Sequence, residues 1–370
     1  MTVGKLRILH TESSLGWGGQ EIRVLTEASG VAKRGHAVTL AAPAESRIFQ
    51  AARDYGVDAV AAPIARKSIG GLHGMMGLVR GRRFDVINTH SSTDSWLAAL
   101  AACCLMEPPP IVRTRHISAP VPRNFATRWL YGSASRRIVT TGERLRLQVI
   151  EEAGVDPSHV VSIPTGIDLD RFRPGAANDA RTALGLDPGG IVIGIVATLR
   201  SWKGHRYLFE AFAGLADKSA RLVVVGDGPQ REALEALAKT LGIDARLRFT
   251  GNQSDVAAWL RAFDLFCLPS YANEGVPQAL MQAMACALPV VTTPVGSIGE
   301  IVQDGETGRL VAPEDSTALR EAIEALLADA ALRARLAGAA RTAALQRFGD
   351  DRMVERMLDV FTAVARTPRG

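Results

Sequence analysis

Short apolar runs alternate with helix-period segments along this 370-residue sequence, and the alternation stops once, near residue 170, and then starts again. Runs at residues 5–11, 37–42, 59–63, 84–89 and 110–112 read as strands, with helical spacing between them, as over residues 21–34. A turn-rich stretch follows, Pro164-Thr165-Gly166-Ile167-Asp168 and then Arg173-Pro174-Gly175. A second series of strands is expected at 191–197, 221–225, 247–250, 265–268 and 289–292. Strands alternating with helices predict parallel sheets covered on both faces. A chain of this length exceeds what one core usually organises. We therefore expect two doubly wound α/β domains, residues 1–172 and 185–349, with the boundary in the stretch 168–185. The apolar spacing of residues 350–365 predicts one further helix. In such sheets ligands bind beyond the carboxyl ends of the strands, so residues just after a strand are the functional candidates.

Composition excludes several classes. A hydrophobic share of 47% with 22% charged residues is that of a globular protein. The longest apolar stretch, residues 96–106, is too short for a membrane span and ends at Glu107-Pro108-Pro109-Pro110. The first 15 residues lack a secretory core, so no signal peptide is expected. Cys103, Cys104, Cys267 and Cys286 have no metal-ligand spacing and read as small buried hydrophobes in a reducing, cytoplasmic compartment. Charge is uneven: residues 1–180 hold 22 Lys and Arg against 16 Asp and Glu, whereas residues 181–370 hold 21 against 22. A basic first half suits an acidic acceptor, an anionic membrane surface or a nucleic acid, or is a solvated surface.

Several strand-end segments carry candidate chemistry. After the 265–268 strand comes Ser270-Tyr271-Ala272-Asn273-Glu274-Gly275-Val276-Pro277, then a short helix whose first turn suits Pro277. The positive end of that helix attracts phosphate, and Glu274 can hold sugar hydroxyls, so the segment suits a nucleotide sugar. After the 191–197 strand, Arg200 and Lys203 stand at a helix start, where cations are unfavourable unless an anion is present. After the first strand, Gly16, Gly18 and Gly19 precede a helix and let a backbone approach a ligand. His116 follows the 110–112 strand, and His90 the 84–89 strand. Gly226-Asp227-Gly228-Pro229 lacks the third glycine of a dinucleotide fingerprint. No Asp-x-Asp pair lies at a strand end and no His/Cys set has metal-ligand spacing.

Taken in order, these motifs resemble those of the family 4 retaining glycosyltransferases of the GT-B fold. The signature there is Ser-x-x-x-Glu-Gly-x-Pro, a second Glu eight residues after the first, and Ala-Met-Ala-x-Gly-x-Pro-Val-Val. Glu274 matches the first acid; Gln282 stands at the second and Ala287 at the glycine. The resemblance implies two Rossmann-like domains facing a central cleft, the first on the acceptor side and the second binding the donor. It also implies that residues 350–370 cross back to the first domain. It gives Arg200 and Lys203 the leaving diphosphate, Glu274 the donor sugar hydroxyls, Gln282 the ribose, and His116 the sugar near the reaction centre. Gly18, Gly19, Gly226, Thr250, Gly275 and Val276 would line the donor. The implied enzyme is a hexosyltransferase that uses a UDP- or GDP-sugar without metal or other cofactor. Its acceptor would be a glycan or glycolipid, lipopolysaccharide core or cell-surface polysaccharide, met at the inner face of the plasma membrane, with no nucleic acid partner. Two alternatives stay open: a nucleotide-sugar epimerase on the same architecture, and a non-catalytic nucleotide-sugar or glycan-binding protein with Gln282 in place of the acid.

Overall fold

The computed structural model describes residues 4–272 and 274–366. Its chain divides into two units, one running to Gly166 and resuming at Asp350, the other Ile167–Gly349. The division falls inside the turn-rich stretch, just ahead of residues 168–185, and Ile167 and Phe172 are buried in the core of the second unit.

In the first unit, β1 (Arg7–Thr11), β2 (Ala37–Ala42), β3 (Asp58–Ala61), β4 (Val86–Thr89), β5 (Ile111–Arg115), β6 (Arg137–Thr140) and β7 (Val160–Ser162) form one parallel sheet in the order β3-β2-β1-β4-β5-β6-β7. Both faces of its central strands are buried. Ile8, Val86 and Val112 pack to one side, and Leu9, Ile87 and Ile111 to the other. The helix Gly19–Lys33 covers the first side together with the C-terminal helix Asp350–Arg366, which inserts Met353, Val354, Met357, Phe361 and Val364. Their close approach depends on Gly30, where a Cβ would come within 2.5 Å of Val354.

The second unit repeats the plan with β8 (Val192–Val196), β9 (Arg221–Val225), β10 (Leu247–Gly251), β11 (Leu265–Leu268), β12 (Val290–Thr292) and β13 (Arg309–Leu310), in the order β10-β9-β8-β11-β12-β13. All the ladders are parallel. Each sheet therefore reverses its direction of winding once, between β1 and β4 and between β8 and β11. Those reversals are where an open α/β sheet leaves a crevice at its carboxyl edge.

Three strands escape the sequence pattern. β6 starts at an arginine, β7 has three residues and β13 has two, too few for a period to register. The cysteine expectation is corrected for half of its members. Cys267 and Cys286 are buried, but Cys103 and Cys104 are exposed, since they close the helix Ser92–Cys103 where it leaves the core. No helix among the described residues is long and apolar enough to cross a membrane.

Candidate active site

At the carboxyl edge of the second sheet, the end of β8 is clasped to the turn after β9. Leu199 N–H donates to the Asp227 carbonyl (3.0 Å), and Gln230 N–H donates to the Leu199 carbonyl (3.0 Å). Gly226 and Gly228 permit this: a Cβ would lie 2.1 Å from the Ala197 oxygen at the first and 2.7 Å from the Leu199 oxygen at the second. Gly226 thus acts through packing. Its N–H also reaches the Gly251 carbonyl at 2.9 Å, which draws the end of β10 to the same edge. The Thr250 hydroxyl beside it donates back to the Gly251 carbonyl at 3.1 Å.

From this clasp the chain makes one tight turn, Ser201–Lys203, and enters the helix His205–Gly214 through Gly204 at φ 75°. A Cβ on Gly204 would lie 1.9 Å from the Pro269 oxygen, so only glycine lets this turn press against the end of β11. Tyr271 N–H donates to the Trp202 carbonyl at 2.8 Å and fixes the contact. The outcome is an ion pair across the winding reversal: Lys203 Nζ lies 2.6 Å from Glu274 Oε1, with the two side chains 19% and 4% exposed. Ser270 Oγ donates to the same oxygen at 2.5 Å. The main chain of Glu274 is pinned from behind by Gly296 (φ 60°), where a Cβ would lie 2.0 Å from the Glu274 carbonyl.

Past Glu274, Gly275 and Val276 are buried. Pro277 caps the helix Gln278–Ala285 rather than opening its first turn. Gln282 sits half-buried within that helix. Arg200 is exposed, its guanidinium 5.5 Å from the Trp202 ring centroid, and it joins no ion pair among the described residues. The structure thus brings Lys203 and Glu274 into contact, and stations Arg200 on the same turn outside that pair.

The first unit builds a second polar edge. Gly18 has extended backbone dihedrals that any residue adopts, and a Cβ there would meet Glu21 Oε2 only at 3.7 Å. Neither strain nor crowding demands glycine at 18. Gly19 begins the helix Gly19–Lys33. His116, just past β5, is 9% exposed and its Nε2 lies 3.0 Å from His90 Nδ1, while His90 Nε2 lies 3.0 Å from His10 Nδ1. Burial holds all three imidazoles neutral: His10 is lowered to about 3, and His90 and His116 fall well below the ordinary value.

Beside this row stands a buried acid pair. Asp94 Oδ2 accepts from Thr11 Oγ1 (2.7 Å) and His90 N–H (2.9 Å), and Oδ1 accepts from Ser91 N–H (2.9 Å). Glu12 accepts from Ser14 N–H (2.8 Å), Gln20 Nε2 (2.5 Å) and the Ser91 hydroxyl. Burial raises both carboxyls, and Glu12 is raised further by the charge of Asp94. Sequence reasoning weighed His90 but passed over His10, Glu12 and Asp94. Glu12 directly follows β1, the position the strand-end rule marks, and Asp94 completes a capping box with Ser91.

The sequence matches two family profiles in tandem, Glycosyltransferase Family 4 over residues 17–171 and Glycosyl transferases group 1 over residues 177–343. It is 31% identical over 329 residues to a D-inositol 3-phosphate glycosyltransferase of Streptomyces bingchenggensis (strain BCW-1), covering 80% of this chain and 70% of that one. To the enzyme of that name from Mycobacterium bovis (strain BCG / Pasteur 1173P2) it is 34% identical over 269 residues, 66% of this chain and 54% of that one, so the match spans about half the length of the mycobacterial relative. In fold it is similar to the crystal structure of Anabaena Alr3699/HepE in complex with UDP-glucose, at TM-score 0.86 and 20% identity, covering 97% of this chain and 100% of that one.

Proposed function

The chain belongs to the family 4, group 1 glycosyltransferases, and from that premise we propose that it moves a sugar from a nucleoside-diphosphate sugar to a hydroxyl acceptor, with retention at the anomeric carbon. The observation that carries this reading is the Lys203–Glu274 pair at the winding reversal of the second sheet. There a cation and a buried carboxylate meet beside the start of a helix, an arrangement suited to diphosphate on one side and sugar hydroxyls on the other.

In this proposal Lys203 and the exposed Arg200 neutralise the charge that grows on the diphosphate as the glycosidic bond breaks. Lys203 has three N–H donors, of which Glu274 takes one. Glu274, oriented by Ser270, receives donor sugar hydroxyls; Gln282 meets the ribose; Gly275, Val276 and the Thr250 edge of β10 flank the nucleotide. In the first unit, His116 hydrogen-bonds a substrate hydroxyl, and Gly18 and Gly19 leave room for one. The two side-chain cations supply the electrophilic help, so neither metal nor further cofactor is proposed; unchanged turnover in excess chelator is the expected result.

UDP-glucose in the Anabaena neighbour supports a uridine donor. For the acceptor, the relatives' shared name supports a polyol phosphate ahead of lipopolysaccharide core or cell-surface polysaccharide. A polyol phosphate is anionic, which the positive balance of residues 1–180 favours. The same charge supports peripheral work at an anionic membrane surface. Gln282 favours one second reading, a silent protein that binds a nucleotide sugar without turning it over.

The first test is thermal stabilisation by UDP, GDP, ADP, CMP and NAD. A ligand at a hundred times its dissociation constant adds about 2.7 kcal/mol, several degrees for a domain of this size. Selective stabilisation by one nucleoside diphosphate is expected and names the base. Silence from all five with folded protein would overturn the donor site.

A further inference from the structure

The three buried histidines of the first unit come from separate stretches of chain: His10 within β1, His90 just after β4 and His116 just after β5. Their rings run edge by edge across the winding reversal, with centroids 5.3 Å apart at each step. Each contact joins a Nδ1 to a Nε2 at 3.0 Å. Beyond the row at one end, His10 Nε2 is buried with no hydrogen-bond partner, and the ring meets Phe361 at right angles. At the other end, Nδ1 is the nitrogen of His116 that the row does not use.

We propose that His10, His90 and His116 act as one hydrogen-bonded unit whose rings share a single tautomer, so that His10 and His90 set whether Nδ1 of His116 donates to or accepts from the substrate. The inference rests on the reading that His116 meets a substrate hydroxyl. A neutral imidazole carries one N–H and one lone pair. His90 faces a ring at each of its nitrogens, so it must donate to one neighbour and accept from the other. Both bonds then point the same way. Either all three rings carry the proton on Nδ1, or all three carry it on Nε2; a mixed row would set two N–H groups or two lone pairs face to face.

The surroundings keep the row neutral and closed. The Arg23 guanidinium, from the helix Gly19–Lys33, opposes a positive charge on His90 and His116, and Arg113, on β5, opposes one on His116. On the acid side, Asp94 is committed to Thr11 and to the backbone of His90 and Ser91, Glu12 to Ser14, Gln20 and Ser91, and Glu27 to Asn88. The unpartnered His10 Nε2 gives a proton no exit at the far end. The row therefore carries polarity rather than a net proton. His10 and His90 are positioning residues in this scheme, since neither needs to touch the substrate.

The test labels the protein with 15N-histidine and reads each ring's tautomer from long-range proton–nitrogen correlations, assigned with single-histidine variants. One tautomer on all three rings, with no ring charging at pH 6, is expected; differing tautomers or a charged ring would overturn the proposal. In parallel, His10→Leu removes the partner of His90 Nε2, whereas His10→Asn restores an amide where Nδ1 stood. The Leu variant should raise a substrate KM about fivefold, what one neutral hydrogen bond is worth, with kcat nearly unchanged and the Asn variant within about twofold of wild type. If the spectra show one tautomer and His10→Leu shifts it at His116 without moving KM, the coupling stands and the assignment of His116 to the substrate falls. Should His90 and His116 carry different tautomers in wild type or in His10→Leu, the coupling itself is wrong, whatever the kinetics.

Discussion

Lys203 Nζ and Glu274 Oε1, 71 positions apart in sequence, are held 2.6 Å apart by two loops that glycine alone allows to meet. The carboxylate is almost fully buried, and Lys203 and the Ser270 hydroxyl both meet its Oε1. Replacing Lys203 by methionine leaves a buried carboxylate with one neutral donor. We expect a loss of about 2 kcal/mol, a fall of about 4–8 °C in Tm for a unit of this size, and turnover lower by about a hundredfold or more. Adding Glu274→Gln to Lys203→Met removes the orphaned charge, so the double variant should recover most of the stability and none of the activity. Near-wild-type turnover in the single variant would show that the pair is only structural.

Gln282 offers a direct readout of the proposed donor site. Set within the helix Gln278–Ala285 and half-buried, it presents a neutral amide where the family has a carboxylate. Hydrogen bonds to an ionised acceptor are about twice as strong as neutral ones. Gln282→Glu should therefore tighten nucleoside diphosphate binding about tenfold, equivalent to roughly 1.4 kcal/mol, as calorimetry would measure. A rise in turnover from near zero would favour the silent-protein reading. Unchanged affinity would remove residue 282 from the ribose.

Ala287 is strained in a way that its sequence neighbours explain. The helix Gln278–Ala285 ends with Leu288 N–H on the Ala283 carbonyl and Ala287 N–H on the Met284 carbonyl, both at 3.0 Å. This closing motif sets the residue after the cap in the left-handed region, and Ala287 is there at φ 57°. A Cβ in that region costs about 1–2 kcal/mol, part of which glycine returns through its freer unfolded chain. Ala287→Gly should gain about 1 kcal/mol and raise Tm by about 2–4 °C with turnover unchanged. An equal or lower Tm would mean that neighbouring packing already relieves the strain.

Most of the strands, though not their order, were legible because they are buried on both faces and so read as apolar runs, as Val192–Val196 and the Leu222–Val225 part of β9 do. The edge strands β7 and β13 were not, since three and two residues carry no period. Glu274 and Lys203 stood out through charge at a strand end and a helix start. The histidine row stayed hidden for a different reason: His10 lies inside an apolar strand and gains meaning only when β1 is set beside β4, a pairing of residues about 80 apart. Cys103 and Cys104 misled because an apolar run says nothing about where a helix emerges from the core.

The buried acids and histidines of the first unit pull stability in opposite directions with pH. Glu12 titrates in the folded state well above its ordinary 4.5, first through burial and then through Asp94. From about pH 4.5 upward the unfolded chain has lost this proton while the folded one keeps it, so Glu12 makes stability fall as pH rises, until the folded group also ionises. Asp94, raised from 3.8, acts in the same sense. His10 acts oppositely: it stays neutral when folded down to about 3, whereas the unfolded ring gains a proton below 6.5, so stability falls as pH drops under 6.5. Above 6.5 the histidine contribution is constant and the Glu12 contribution still declines. Glu12→Gln keeps the shape and, with the Gln20 amide turned over, keeps that contact. Urea unfolding at about pH 6.5 and about pH 8 should show a loss of stability in wild type that the variant largely lacks. An equal loss in both proteins would mean that Glu12 is already ionised at pH 6.5, its charge carried by the Ser14, Gln20 and Ser91 donors.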